Sequence, residues 1–247
     1  MDVSSYVLLS HEQALRRRLD VAANNMANVD TAGFKREQPL FQEYVARTGE
    51  DAAAAGAETS YVLDYGAIHD TSAGPFKATG NALDVMIEGP GYFAVQTPDG
   101  GTGYTRAGFL RVLETGELGT AGGAVLLGEG GAPIVVPEDA AAQLSITEDG
   151  TVSGPDGPLG RIAVTGFADE AMLAQRGDGI FTGGEGEELP AAETRIRSGG
   201  IEGSNVQAIV ETTDMVEILR AYQTSQRLNE GIADMRKRAI DRLGRVQ

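Results

Sequence analysis

The sequence predicts an α+β protein in which a central all-β domain of hairpins stands between two long terminal helices. Three observations carry this prediction. Apolar residues recur at steps of three and four at both ends, and short apolar runs divided by turn residues fill the middle. Charge divides along the same lines: residues 1–36 carry five Lys/Arg and four Asp/Glu, residues 205–247 carry seven and six, and residues 37–204 carry eight and 26. Two near-neutral ends therefore flank a middle of net −18, within a total of −16.

Residues 3–29 read as the first helix. Leu8, Leu15, Leu19, Ala22 and Met26 fall on one stripe, Ala22 is small enough for close approach of a partner helix, and no Pro or Gly occurs before Gly33. Asp30, Thr31 and Gly33 supply the stop. Residues 205–243 read as the second helix, with Asn205 as the expected N-cap. Its stripe runs through Met215, Ile218, Tyr222, Ser225, Ile232, Met235 and Ala239, is widened by Leu219, Leu228 and Leu243, and is interrupted at Gly231. At 1.5 Å per residue this helix is roughly 58 Å long, which is long for a compact domain.

Between them, the runs Val85–Ile87, Tyr92–Val95, Phe109–Val112, Ala124–Leu127, Ile134–Val136, Leu144–Ile146 and Ile162–Val164 read as strands. Turn chemistry separates them at Pro98-Asp99-Gly100-Gly101, Asp149-Gly150 and Pro155-Asp156-Gly157. Residues 49–60 read as a loop or linker. The 34 glycines and the absence of Trp suit many turns and short strands. The pattern leaves two arrangements open for the helices. Either they fold back on the β domain, or they pair with each other and with other copies of the chain.

Chemistry is sparse. With no Cys there is no disulfide framework and no thiolate metal site. His11-Glu12 is followed by Leu15 where a zinc-binding HExxH motif needs its second His, and His69, in a loop-like stretch near Asp64 and Asp70, has no visible nucleophile to serve. None of the lysines Lys35, Lys77 and Lys237 follows a glycine, so no phosphate loop forms, and Gly101 and Gly103 are followed by Arg106 rather than by the third glycine of a dinucleotide fingerprint. No catalytic, cofactor-binding or metal-binding residue is therefore expected. The acidic balance argues against a nucleic-acid partner, and no apolar stretch is long enough to span a membrane. Tyr6–Leu9 is too short for a signal peptide, and Arg16–Arg18 follow it instead of preceding it. Composition by itself would point to the cytoplasm.

Particular blocks then carry a resemblance. Leu19-Asp20-Val21-Ala22-Ala23-Asn24-Asn25-Met26-Ala27-Asn28 runs into Thr31-Ala32-Gly33-Phe34-Lys35. Thr79-Gly80-Asn81-Ala82-Leu83-Asp84 leads to Gly89-Pro90-Gly91-Tyr92-Phe93, and Tyr104-Thr105-Arg106-Ala107-Gly108 follows. Gly200-Ile201-Glu202-Gly203-Ser204-Asn205-Val206 precedes Arg220-Ala221-Tyr222. In this order, and over nearly the whole chain, they resemble the signature segments of the flagellar basal-body rod and hook proteins. Within that family the length and the opening Ser5–Ser10 are most similar to the F-type, proximal-rod members. Gly166-Phe167-Ala168-Asp169 lacks the Asn-Pro that many G-type, distal-rod sequences carry there. The distal-rod and hook-type proteins are the alternatives inside the family, and a rod-associated peptidoglycan hydrolase or a soluble export chaperone the alternatives outside it.

The resemblance implies a structural subunit whose terminal helices form a coiled-coil unit that polymerises and transmits torque. It implies partners among copies of itself, other flagellar rod proteins and the type III export apparatus, with no small-molecule substrate. It also implies a place in the basal-body rod crossing the periplasm, reached without a cleaved signal peptide, against what composition suggests. The expected divisions are an N-terminal helix (1–33), a connecting segment packing between subunits (34–78), a central β domain (79–200) and a C-terminal helix (201–247). The expected subunit-interface residues are Leu8, Leu15, Leu19, Ala22, Asn24, Asn25, Met26, Asn28, Gly33, Phe34, Asn205, Val206, Met215, Ile218, Leu219, Tyr222, Leu228, Ile232 and Met235. Ordering about 70 terminal residues costs roughly 1–2 kcal/mol each in backbone entropy, so the ends are expected to become ordered on assembly.

Overall fold

The computed structural model describes residues 3–47, 58–170, 173–176, 178–184 and 186–244. Two long helices, α1 (Val3–Ala27) and α2 (Ala208–Leu243), occupy the ends. Between them lie the strands β1 (Glu37–Arg47), β2 (Glu58–His69), β3 (Phe76–Ala78), β4 (Val85–Ile87), β5 (Tyr92–Gln96) and β6 (Thr102–Thr105). They are followed by β7 (Leu110–Val112), β8 (Leu118–Thr120), β9 (Val125–Leu126), β10 (Ser145–Ile146), β11 (Thr151–Gly154) and β12 (Gly157–Arg161). The last six are β13 (Val164–Phe167), β14 (Ala174–Gln175), β15 (Phe181–Thr182), β16 (Gly186–Glu188), β17 (Ile196–Ser198) and β18 (Gly200–Glu202). The α+β class and the terminal positions of the helices are as the sequence predicts. The linker expected at 49–60 lies mostly outside the described residues, and its last three residues open β2.

Both helices are slightly shorter than the periodicity suggests. α1 stops where Asn28 accepts from Thr31 through both its backbone carbonyl, at 3.2 Å, and its side-chain oxygen, at 3.1 Å. Gly33 then reverses the chain at φ 67°, and a Cβ there would sit 2.4 Å from the Arg106 backbone. At the other end Asn205 is not the N-cap. Gln207 occupies that position without a side-chain cap, because the Asn205 amide is already engaged three residues before the helix. Its oxygen accepts the Arg36 N–H at 2.7 Å and its nitrogen donates to the Asp70 carbonyl at 2.8 Å.

The chain divides into two compact units. The first comprises residues 1–27, 37–68 and 207–247, and holds the helices and the β1–β2 hairpin. Among the described residues its buried ones are few: Leu15, Val21, Ala22 and Asn25 on α1, and Glu211, Ile218 and Ser225 on α2.

The second unit, residues 28–36 and 69–206, holds the β-rich core. A sheet runs β14-β15-β6-β5-β9-β8-β7, with β13 joining β5 and β16; β10-β11-β12 form a three-stranded sheet, and β4–β17 and β3–β18 are two-stranded. All these pairings are antiparallel. Val85, Ile87, Phe93, Val95, Leu118, Leu126, Val152, Ile162 and Ile196 meet in its main core. Tyr92, Leu173 and Phe181 form a smaller cluster, with Tyr92 edge-on to Phe167 and Phe181 at 5.7 and 5.4 Å. Six of the seven predicted runs overlap strands. The seventh, Ile134–Val136, is joined by an isolated bridge from Val135 to Glu117 and buries Ile134 and Val136 on either side.

Candidate assembly surface

In the first unit α1 and α2 lie antiparallel. Glu12 accepts from Ser225 at 3.2 Å near one end, and Asn25 meets Glu211 at 3.4 Å near the other. Leu15, Leu19, Ile218, Leu219 and Tyr222 close in between and line, with Arg16, a cavity of ≈ 210 Å³. The 3.6-residue repeat brings these side chains to one face. Asn25 is 1% exposed and ties three segments together. Its oxygen accepts the Glu37 N–H at 2.9 Å, and its nitrogen donates to the Glu37 carbonyl at 2.9 Å and to the Glu211 carboxylate. The start of β1 is thereby held against both helices. Buried polar contacts of this kind specify a register more than they add stability.

A second polar knot lies in the β-rich unit. The Glu202 carboxylate accepts from Lys35 Nζ at 2.8 Å, from the Gly74 N–H at 2.9 Å and from Arg106 at 3.2 Å. Lys35 also donates to the carbonyls of Ser72 at 2.8 Å and Thr71 at 3.4 Å. Arg106 reaches the Gly89 carbonyl at 2.8 Å, with its guanidinium over the Tyr92 ring. Burial holds the Lys35 ammonium below the ordinary lysine range, against the Glu202 charge and its hydrogen bond, which raise it. Burial likewise pushes the Tyr92 phenol up, helped by its hydrogen bond to Glu170. The backbone comes close enough here that a Cβ on Gly74 would lie 1.9 Å from the Gly203 carbonyl oxygen.

The expected interface residues divide by burial. Leu15, Ala22, Asn25, Gly33, Phe34, Val206 and Ile218 are buried within the single chain. Leu8, Leu19, Met26, Asn28, Asn205, Met215, Tyr222 and Ile232 are half-buried, while Asn24, Leu219, Leu228 and Met235 are exposed. Further apolar side chains stand in solvent on the same unit: Tyr6 and Leu9 on α1, Tyr44, Leu63 and Tyr65 on the hairpin, and Ile209, Val216, Ile240 and Leu243 on α2. Among the described residues no group of three His, Asp or Glu is placed to hold a metal, and no helix is long and apolar enough to cross a membrane. His69 closes β2 instead of lying in a loop, with its ring edge-on to Phe181 at 5.4 Å.

Residues 6–35 match the profile described as flagella basal body rod protein, residues 86–154 that of the flagellar hook protein FlgE/F/G D1 domain, and residues 197–242 that of the flagellar basal body rod FlgEFG protein C-terminal. The chain is 33% identical over 247 residues to the flagellar basal-body rod protein FlgF of Caulobacter vibrioides, covering all of both chains. The chain belongs to the flagellar basal-body rod protein family. It is also 32% identical to the FlgF of Escherichia coli, over 97% of each chain, and 33% identical to the FlgG of Bacillus subtilis, over 91% of this chain and 93% of that one.

Membership of the rod family makes the chain a structural part of the flagellar basal body and not an enzyme. The first rod-family segment, residues 6–35, holds Asn25, Gly33 and Lys35, and the last, residues 197–242, holds Glu202, Asn205 and Glu211. Both knots therefore draw on the two terminal rod-family segments. Lys35, Arg106 and Glu202 stand in the sequence blocks that carry the resemblance but are not among the expected interface residues, and Glu211 is in neither. The available signal was that Lys35, Arg106 and Glu202 each place the single charge inside a block otherwise made of uncharged residues.

Proposed function

We propose that this rod subunit is of the F type and belongs to the proximal rod, where it polymerises through its terminal helices and passes torque along the structure. The observation that carries the type is the end-to-end likeness to FlgF proteins, which spans 100% of both chains in one case and 97% in another. The likeness to a FlgG at 91% of this chain keeps the distal rod as the second reading.

The paired helices form a coiled-coil layer with those of neighbouring subunits. The exposed Leu219, Leu228 and Met235 and the half-buried Leu8, Leu19 and Ile232 supply its apolar contacts. Such a layer resists twist because sliding one helix past another takes apolar side chains out of their partners' grooves. The β1–β2 hairpin, with Tyr44 and Tyr65 exposed, packs between subunits. Export through the flagellar type III apparatus delivers the chain unfolded to a rod crossing the periplasm.

Replacing Leu19 or Ile232 with Asp tests the helical interface. The variants are expected to stop rod assembly while the β-rich unit stays folded. Motile cells with normal rods would show that the stripe is not the interface. Complementation of strains lacking one or the other rod protein separates the F-type reading from the G-type one.

A further inference from the structure

Four Asp-Gly steps lie in the β-rich unit: Asp99-Gly100, Asp149-Gly150, Asp156-Gly157 and Asp178-Gly179. The chain has no Asn-Gly step. An Asp-Gly step is open to attack by the glycine nitrogen on the aspartate side chain, because glycine has no side chain to obstruct ring closure. The group attacked is the neutral carboxylic acid, which gives up its hydroxyl as water. Donors that hold a carboxylate ionised therefore protect it, and the surroundings of each carboxylate rank the four sites.

Three of the four are held. Asp99 accepts from Arg176 at 3.1 Å. Asp149 accepts from the hydroxyls of Thr147 and Thr151 and from the Thr151 N–H at 3.3 Å, and these bonds hold its pKa below the ordinary carboxylate value. Asp178 accepts the Ile180 N–H at 3.2 Å and lies 3.7 Å from Arg176. Asp156 differs. It is exposed at the tip of the β11–β12 hairpin, whose two-residue loop is closed by the Gly154 and Gly157 pair. No described residue gives its carboxylate a hydrogen bond or an ion pair.

We propose that Asp156-Gly157 is a site of spontaneous modification, where aspartate isomerises to isoaspartate through a cyclic imide. The Gly157 nitrogen attacks the Asp156 Cγ, a C–N bond forms, and the Cγ–OH bond breaks. The hydroxyl leaves as water with the amide proton. Water then opens the ring. Opening at Cγ restores aspartate, whereas opening at the main-chain carbonyl leaves the chain running through Cγ and frees an α-carboxylate. One water leaves and one returns, so no oxidant or other reactant is needed. The product has one more carbon in the main chain, inside the shortest kind of hairpin loop. The pairs Ser153 with Pro158 and Gly154 with Gly157 set the register here, and Val152 in β11 lies in the main core. The modification therefore loosens the β11–β12 pairing from its tip.

The test ages the full-length protein in heavy-oxygen water at neutral pH, once folded and once unfolded in guanidinium chloride. Sampling continues until the unfolded chain has converted measurably at all four steps. Peptide mapping locates the incorporated oxygen. An isoaspartyl carboxyl methyltransferase with a labelled methyl donor counts the α-carboxylates of isoaspartate in each peptide. In the folded chain the signal at Asp156 is expected to exceed that at each other step severalfold, while in the unfolded chain the four are comparable. Asp156→Glu is expected to remove the signal from this turn without moving the urea midpoint, because the six-membered ring closes far more slowly. The modified chain, once separated, is expected to exchange amide hydrogens faster across β11 and β12. Equal conversion of the four steps in the folded chain, a lead for any other step, or no conversion at Asp156 overturns the proposal. The same ranking in the unfolded chain also overturns it, since the fold would then not select the site. Unchanged exchange across β11 and β12 overturns the loosening of the hairpin.

Discussion

Replacing Glu202 with Gln removes the one carboxylate that faces both Lys35 and Arg106 while keeping its volume. The side chains of Lys35 and Glu202 are each 1% exposed and that of Arg106 is 3% exposed, so water screens little of the change. The amide still accepts from Lys35, but two buried cations are left with carbonyl partners and no anion. Breaking one member of a buried charge group costs about 3–5 kcal/mol. With a urea slope of about 2 kcal/mol per molar, the unfolding midpoint of the β-rich unit falls by about 2 M. The chain has no Trp, so the readout is the near-ultraviolet circular dichroism of the Tyr92–Phe181 cluster during urea titration. Lys77→Met is the control: its partner Asp30 is 93% exposed, and a loss of about 0–1 kcal/mol is expected. Lys35→Met, Arg106→Met and Glu202→Leu combined remove every charge and are expected to cost far less than the single change. A loss below about 1 kcal/mol for Glu202→Gln would refute the view that this knot holds residues 28–36 to β18.

Other outcomes follow from single sites. Because burial lowers the Lys35 pKa, the unfolded chain binds more protons than the folded one between that lowered value and the ordinary 10.5, so stability rises with pH in that window and the contribution is lost as pH falls through the folded value. Urea midpoints at pH 7 and pH 9.5 are expected to rise in the wild type relative to Lys35→Met, staying below the range where tyrosines of the unfolded chain ionise. Asn25→Ala leaves the Glu37 N–H and C=O without their side-chain partner, at about 1–3 kcal/mol; rod yield should fall while the urea midpoint of the β-rich unit stays unchanged. Gly231 lies in α2 with open space where a Cβ would go, so Gly231→Ala should stabilise the helix by about 0.5–1 kcal/mol, read as slower hydrogen exchange across α2.

The parts legible in sequence are those written in local pattern. The helices showed through a 3.6-residue repeat, and the Gly33 turn through a residue that takes φ 67° without strain. The β5–β6 and β10–β11 turns showed through Asp-Gly steps. Strands such as β6, Thr102-Gly103-Tyr104-Thr105, and β16, Gly186-Glu187-Glu188, carry no apolar alternation, so nothing local announced them. They persist because their backbone groups pair with neighbours already in place, β6 with β5 and β16 with β13. Asn205 looked like a helix cap because its type and position suit one. The partners that claim it, Arg36 and Asp70, lie more than 130 residues away in the chain and left no mark on the segment around it.

The sequence by itself determined the class, the terminal helices with their apolar stripes, the near-neutral ends around an acidic middle, and the blocks that place the chain among the rod proteins. Periodicity, turn chemistry and composition act over a few residues, so one strand of text is enough to read them. Tertiary structure decided which of those residues hold the chain together and which remain open. It put Lys35, Arg106 and Glu202 into one buried knot across separations of 96 and 167 residues. It also joined the β1–β2 hairpin to the helices through Asn25, and left Ile209 and Leu243 in solvent. The reason is that burial and pairing are properties of meeting surfaces, and whether a charge is screened by water or matched by a partner depends on what distant segments bring to it.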